Sequence, residues 1–107
     1  MCGFVGICNL TKDISNEKET IKQMNKMIKK RGPDEEGYFF DKNINLAHRR
    51  LIIIDKENGK QPMSIKINDI TYTIVYNGQI YNKEEIRKNL KDIGYTFKRI
   101  FWYRSTT

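Results

Sequence analysis

The 107-residue chain reads as an α+β domain, a mixed layered fold with mainly antiparallel sheets. Three observations carry that expectation: short apolar runs bounded by small or turn residues, two amphipathic stretches with helix start and stop signals, and the order strand, helix, several strands, helix, strand. Gly3 to Leu10 reads as a buried strand, with Phe4, Val5, Ile7 and Cys8 apolar. A helix follows, capped by Asn16 with Glu19 three residues on. Its stripe is Ile21, Met24, Met27 and Ile28, and Gly32-Pro33 ends it. Strands are expected at Gly37 to Phe40, Ile44 to His48 and Leu51 to Ile54, separated by Asp41-Lys42-Asn43 and closed by Asn58-Gly59. Ile70 to Tyr76 alternates as a half-buried strand does and runs into Asn77-Gly78. The second helix begins at Asn82, with Glu85 at the capping-box position, Ile86, Leu90 and Ile93 on one face, and Gly94 as its stop. Arg99 to Thr107 fits no element: Ile100-Phe101-Trp102-Tyr103 is a dense apolar cluster before a polar stub.

The length bounds the chain at one domain or less, and nothing in it repeats. No run of about 18 apolar residues exists and no charged segment precedes an apolar core, so neither a membrane span nor a signal peptide is expected. A cytoplasmic protein follows. Cys2 and Cys8 lie on one short strand that would hold them apart, which argues against a disulfide and makes Cys8 a core residue. The net charge of +7 comes from Lys and Arg scattered from Lys12 to Arg104, the pattern of a solvated surface. A basic nucleic-acid binder stays open as an alternative, although no stacking platform, zinc finger or helix-turn-helix spacing appears.

Met1-Cys2-Gly3 is the most informative start a chain of this kind offers. If an aminopeptidase removes Met1, as the small Cys2 side chain permits, one residue carries both a thiol and a free α-amine. A thiol titrates near 8.5 and a terminal amine near 7.7–8.0, so the amine is a built-in base for the nucleophile. The competing reading is that Cys2 merely starts a strand.

Four segments form an ordered set: Met1-Cys2-Gly3-Phe4-Val5-Gly6, Arg31-Gly32-Pro33-Asp34, Ala47-His48-Arg49-Arg50-Leu51 and Tyr76-Asn77-Gly78-Gln79-Ile80-Tyr81-Asn82. On these the chain resembles the N-terminal glutaminase domain of glutamine-hydrolysing asparagine synthetase, a class II glutamine amidotransferase of the N-terminal-nucleophile hydrolase type. The resemblance covers residues 1–98. It implies a four-layer αββα sandwich, here incomplete, with L-glutamine as substrate and Cys2 as nucleophile. Asn77 and Gly78 suit the oxyanion, one through a side-chain amide and one through an unshielded backbone N–H. An ordinary Asn-Gly hairpin turn is the alternative. Arg50 is the natural clamp for the glutamine α-carboxylate, because a planar guanidinium takes a carboxylate bidentately; a structural salt bridge is its alternative. The resemblance adds the backbone of Leu51, Ile52, Ile53 and Ile54, together with Asn77, Gly78 and Gln79, to the glutamine-binding set. Arg49 reads as solvated, His48 as a satisfied sheet residue, and Arg31 to Asp34 as a loop organiser in which Gly32 stops the helix and Asp34 bonds local N–H groups.

No metal or cofactor is expected for the glutaminase part; the resemblance assigns ATP and Mg2+ to a synthetase domain absent from this chain. Expected partners are glutamine, with no nucleic acid and no membrane, and either a second copy or the missing synthetase part. Three departures from the family stand out. Gln79 occupies a position commonly Glu, Ile52 replaces a commonly small or polar residue, and the Ser-Asp-Thr-Glu-Val-Leu-Leu type segment expected after Lys98 is missing. Suitable codons for Lys98 to Thr107, around the single Trp codon, allow a one-base-shifted frame reading Lys-Glu-Tyr-Ser-Gly-Thr-Glu-Val-Leu-Leu. Residues 99–107 are therefore expected to be a family-unrelated, frameshifted tail. Two functional expectations follow: ammonia release from glutamine for asparagine synthesis from aspartate, or a catalytically inactive truncated fragment or interaction remnant.

Overall fold

A computed structural model describes residues 2–52 and 59–95. These fall into two units, one holding residues 2–52 and 60–77 and the other Gly59 and residues 78–95. The expected strand residues Ile53 and Ile54, the Asn58 turn position and the whole apolar tail lie outside the described residues.

The first unit is α+β with antiparallel sheets, as expected. Strands β1 (Gly3–Cys8), β2 (Glu35–Phe40) and β3 (Ile44–Arg50) form a three-stranded sheet in the order β1-β3-β2, and helix α1 (Lys18–Met27) connects β1 to β2. The register pairs Gly3 with Arg49 and Val5 with Ala47 on one side, Glu36 with Arg49 and Tyr38 with Ala47 on the other. Because side chains alternate across a strand, Gly3, Val5, Ile7, Asn45, Ala47, Arg49, Glu36 and Tyr38 share one face. That face packs on α1. Its core is Ile14, Ile21 and Ala47, with Asn25 and Asn45 buried among them. Asn45 Nδ2 donates to the Ile14 carbonyl, and Asn43 Nδ2 donates to the carbonyls of Asn9 and Lys12, stitching the β1–α1 connection to the β2–β3 turn.

Helix α1 departs from expectation at both ends. Glu17, not Asn16, is the N-cap residue, and it makes no side-chain capping bond; its carboxylate accepts from Thr20 instead. At the other end Met27 is 86% exposed, since the inward stripe runs through buried Ile21 and Asn25 and half-buried Met24 and Ile28. Asn25 is buried because Nδ2 reaches the Tyr38 hydroxyl across the sheet. Strand β1 is not buried on both faces: Phe4 is 49% exposed and Cys8 is exposed, which corrects the expectation that Cys8 is core. The alternation explains it, because even-numbered β1 residues point away from α1.

Strands β4 (Met63–Ile67) and β5 (Ile70–Ile74) make a separate antiparallel hairpin. Strand β4 was not expected from the sequence, and β5 ends two residues before Tyr76. Its turn is Asn68-Asp69, both residues with positive φ (49° and 66°), the signature of the two-residue turn that matches strand twist. The register places Met63, Ile65, Ile67, Ile70, Tyr72 and Ile74 on one face and Ser64, Lys66, Thr71 and Thr73 on the other. Leu51 and Ile52 are not in a strand, and Asn77-Gly78 is not a hairpin turn.

In the second unit, α2 (Lys83–Asp92) starts after Asn82 as expected, although Asn82 makes no side-chain cap bond. Its end is a Schellman motif: Gly94 at φ +104°, with Gly94 N–H to the Lys91 carbonyl and Tyr95 N–H to the Leu90 carbonyl.

Asp69 carries the αL penalty that glycine does not. Its contact with Lys66, at 4.0 Å and fully exposed, offsets little. Asp69→Gly should stabilise the hairpin by roughly 0.5 kcal/mol, read as slower amide exchange along β4 and β5. Faster exchange would count against this account of the turn.

Candidate active site

The face of the sheet away from α1 carries the candidate residues Cys2 and Arg50. Continuing the β1 register by one residue sets Cys2 beside Arg50, just as Gly3 opposes Arg49. Cys2 Sγ lies against the peptide of Leu51: it accepts the Leu51 N–H at 3.3 Å and sits 3.8 Å from the Leu51 carbonyl oxygen. The Cys2 carbonyl accepts from Arg31 Nε at 3.1 Å. Nucleophile candidate and carboxylate-clamp candidate thus stand at one end of one sheet, with Leu51 between them.

The Arg31-Gly32-Pro33-Asp34 turn builds that end. Pro33 bridges Arg50 in parallel fashion, Asp34 N–H donates to the Arg50 carbonyl, and Arg49 Nε donates to the Gly32 carbonyl at 2.9 Å. Asp34 Oδ2 accepts the Ile52 N–H at 2.8 Å, so this carboxylate organises the segment after β3 rather than N–H groups of its own loop. Gly32 is likewise not the residue that stops α1, which ends at Met27 with Ile28 as its C-cap. Its job is close approach: a Cβ there would lie 2.3–2.5 Å from the backbone of Arg49 and Arg50.

Two adjacent arginines point to opposite faces, and each meets its register partner on β2. Arg49, expected to be solvated, is buried: Nη1 pairs with Glu36 at 2.8 Å, on a side chain only 7% exposed. Glu36 also accepts from the Tyr38 hydroxyl. Arg50 Nη1 pairs with Glu35 Oε2 at 2.9 Å, so the ion pair held as an alternative for Arg50 is present. Lys60 Nζ lies 3.8 Å from the other Glu35 oxygen.

His48 sits on the same face, buried between Glu35-bearing β2 and Phe4-bearing β1. Burial holds its imidazole below the ordinary value of 6.5; a hydrogen bond to the Tyr76 backbone opposes that shift, as does Glu35, while Arg50 adds to it. It is therefore a sheet residue as expected, but only half satisfied, because Nε2 has no partner among the described residues. The bond to Tyr76 matters for the Asn77 segment. Tyr76 N–H also donates to Gln61 Oε1, and Gln61 in turn packs its carbonyl over Gly37, where a Cβ would be 2.0 Å away. Asn77 closes this unit; Gly78 and Gln79 belong to the other, and Ile53 and Ile54 lie outside the described residues. Among the described residues no three His, Cys, Asp or Glu side chains are grouped to hold a metal ion, and no helix is long and apolar enough to cross a membrane.

Sequence reasoning missed Glu35, Gln61 and the Arg31 contact with Cys2. One signal was available: Glu35-Glu36 and Arg49-Arg50 are adjacent pairs of opposite charge on neighbouring strands.

The chain as a whole has known relatives. Residues 1–100 match the glutamine amidotransferase domain, and the chain belongs to that family. Over 99 residues it is 52% identical to asparagine synthetase [glutamine-hydrolyzing] 1 of Bacillus subtilis (strain 168), covering 91% of this chain and 15% of that protein. It is 39% identical over 99 residues to asparagine synthetase [glutamine-hydrolyzing] 3 of the same organism, covering 92% and 16%. A putative asparagine synthetase [glutamine-hydrolyzing] 2 of Methanocaldococcus jannaschii is 42% identical over 105 residues, covering 82% and 20%. The matched part is the N-terminal glutamine amidotransferase domain, and the chain spans about 15–20% of the length of these curated relatives.

Gly32→Ala should cost on the order of 2–3 kcal/mol in urea unfolding, because backbone rather than a flexible side chain must give way; an unshifted midpoint would contradict the close-approach account. For His48 the unfolded chain takes up its proton at higher pH than the folded one, since burial depresses the folded value. Its contribution to stability is thus complete above about pH 6.5 and is lost as pH falls through the lower folded value. Unfolding free energy should decline between pH 7 and 5, and His48→Gln should remove that part of the slope.

Proposed function

We propose that this chain carries the glutaminase chemistry of a class II glutamine amidotransferase, with Cys2 as the nucleophile once Met1 is removed. One observation carries the reading: Cys2 Sγ is held on the Leu51 amide at the strand end that bears Arg50, in a chain of the glutamine amidotransferase family. The thiol adds to the side-chain amide carbon of glutamine as the α-amine takes its proton. Asn77 and Gly78 donate to the oxyanion, and the α-ammonium returns the proton to nitrogen as ammonia leaves. Water then cleaves the thioester, giving glutamate and restoring the thiol. Arg50 holds the substrate α-carboxylate, while the backbone of Leu51 to Ile54, with Gln79, positions the rest. The domain is of the N-terminal-nucleophile type and its ammonia serves asparagine synthesis from aspartate, a reading supported by its likeness to glutamine-hydrolysing asparagine synthetases. That ligation needs ATP and Mg2+, for which the described residues provide no cluster of acidic ligands, and no step here passes through them.

Ammonia release from glutamine by the Met1-processed protein, compared with Cys2→Ala, tests the reading. Wild type should exceed the variant by at least about a thousandfold, and Asn77→Ala should cost roughly 2–4 kcal/mol of transition-state stabilisation. Equal rates for wild type and Cys2→Ala would leave the inactive-fragment reading in its place.

A further inference from the structure

The proposed reaction needs Arg50 for the carboxylate of its substrate, yet Arg50 already holds one. Its Nη1 donates to Glu35 Oε2 at 2.9 Å, and the two residues are register partners on β2 and β3, side by side on the Cys2 face. The Arg50 side chain is 6% exposed and that of Glu35 27%. The other oxygen of Glu35 faces a second cation, Lys60 Nζ at 3.8 Å, on a stem that is 66% exposed. Glu35 therefore stands between a buried cation fixed in the sheet and a solvated one on a flexible chain.

We propose that Glu35 is a resident competitor for the substrate α-carboxylate, occupying Arg50 in the empty site and passing to Lys60 when an amino-acid ligand takes its place. The inference rests on the reading of Arg50 as the carboxylate clamp. A guanidinium this deeply buried needs an anion beside it, because burying an uncompensated charge is strongly destabilising. A second carboxylate arriving beside Glu35 brings like-charge repulsion, so the incoming group gains only the difference between two charge-assisted bonds. Transfer of Glu35 to Lys60 leaves each charge paired at the end of the exchange. The effect is selectivity as well as attenuation: a ligand lacking a free carboxylate has nothing with which to displace Glu35.

The test reads covalent labelling of Cys2 and does not need turnover. Met1-processed full chain is treated with a chloroketone analogue of glutamine bearing a free α-carboxylate, or with its α-methyl ester; chloride leaves as the thiolate sulfur bonds the methylene carbon. Labelling is quantified by mass spectrometry against exposed Cys8 as the internal reference. Glu35→Gln should raise Cys2 labelling by the acid roughly three- to tenfold and leave labelling by the ester within twofold, which also shows that the variant is folded. Lys60→Gln should slow the acid and spare the ester. Slower or unchanged labelling of Glu35→Gln by the acid would overturn the proposal and make Glu35 a support for Arg50. If Arg50→Lys leaves acid labelling unchanged, the clamp reading itself falls, an outcome distinct from an Arg50-dependent rate that Glu35→Gln fails to raise.

Discussion

The backbone-to-backbone approach of Gly32 to the Arg49–Arg50 peptide is the contact on which the candidate site depends. With no Cβ in the way, the Arg31–Asp34 turn lies flat against the end of β3 and makes its bonds at once: Gly32 carbonyl to Arg49, Asp34 N–H to the Arg50 carbonyl, Asp34 carboxylate to Ile52 N–H. Arg31 then reaches the carbonyl of Cys2 from the same turn. A single four-residue segment thereby fixes both strands that bear the candidate residues, β1 through Cys2 and β3 through the peptides after Arg50. Moving that backbone by an ångström would displace Cys2 and its neighbours together, which is the scale at which positioning of reacting groups matters.

Charge is handled by strand pairing rather than by exposure. Arg49 and Arg50 cannot both face water from a central strand, because alternation sends them to opposite sides of the sheet. Each is met by the glutamate directly across on β2, so two buried cations are neutralised without any long-range arrangement of loops. The pairs are alike in geometry and unlike in setting. Arg49–Glu36 is locked further by Tyr38 and Gly32 on the helix side, whereas Arg50–Glu35 lies on the Cys2 face with Lys60 near its outer oxygen.

Much of the fold was legible in the chain. The apolar period placed both helices to within a residue or two of their observed starts, and Gly94 announced the end of α2 because its αL conformation is one that few other residues adopt. What escaped depended on partners far away in sequence. Met63–Ile67 does alternate apolar and polar residues, but only over five positions, and the positive-φ turn Asn68-Asp69 that pairs it with Ile70–Ile74 carries no glycine to advertise it. Asn25 looks like a surface residue of α1 until Tyr38 comes across to meet it, and Met27 looks like core until the helix phase turns it outward. The ordered motifs pointed to Cys2, Arg50 and the Asn77 segment. Their neighbours, Gln61 beneath Tyr76 and Glu35 beside Arg50, are tertiary facts, the second of them signalled only by the adjacent Glu-Glu and Arg-Arg pairs.

The β2–β3 turn at Asp41–Asn43 is tied back to the chain by Asn43 and by the Asp41 N–H to the Ile44 carbonyl. A one-step slip of β3 against β2 would exchange the faces of Arg49 and Arg50 and leave only one of the two Glu–Arg pairs in place. Each arginine's side of the sheet is therefore held by charge as well as by the turn, a check on register spelled out in two adjacent pairs of residues.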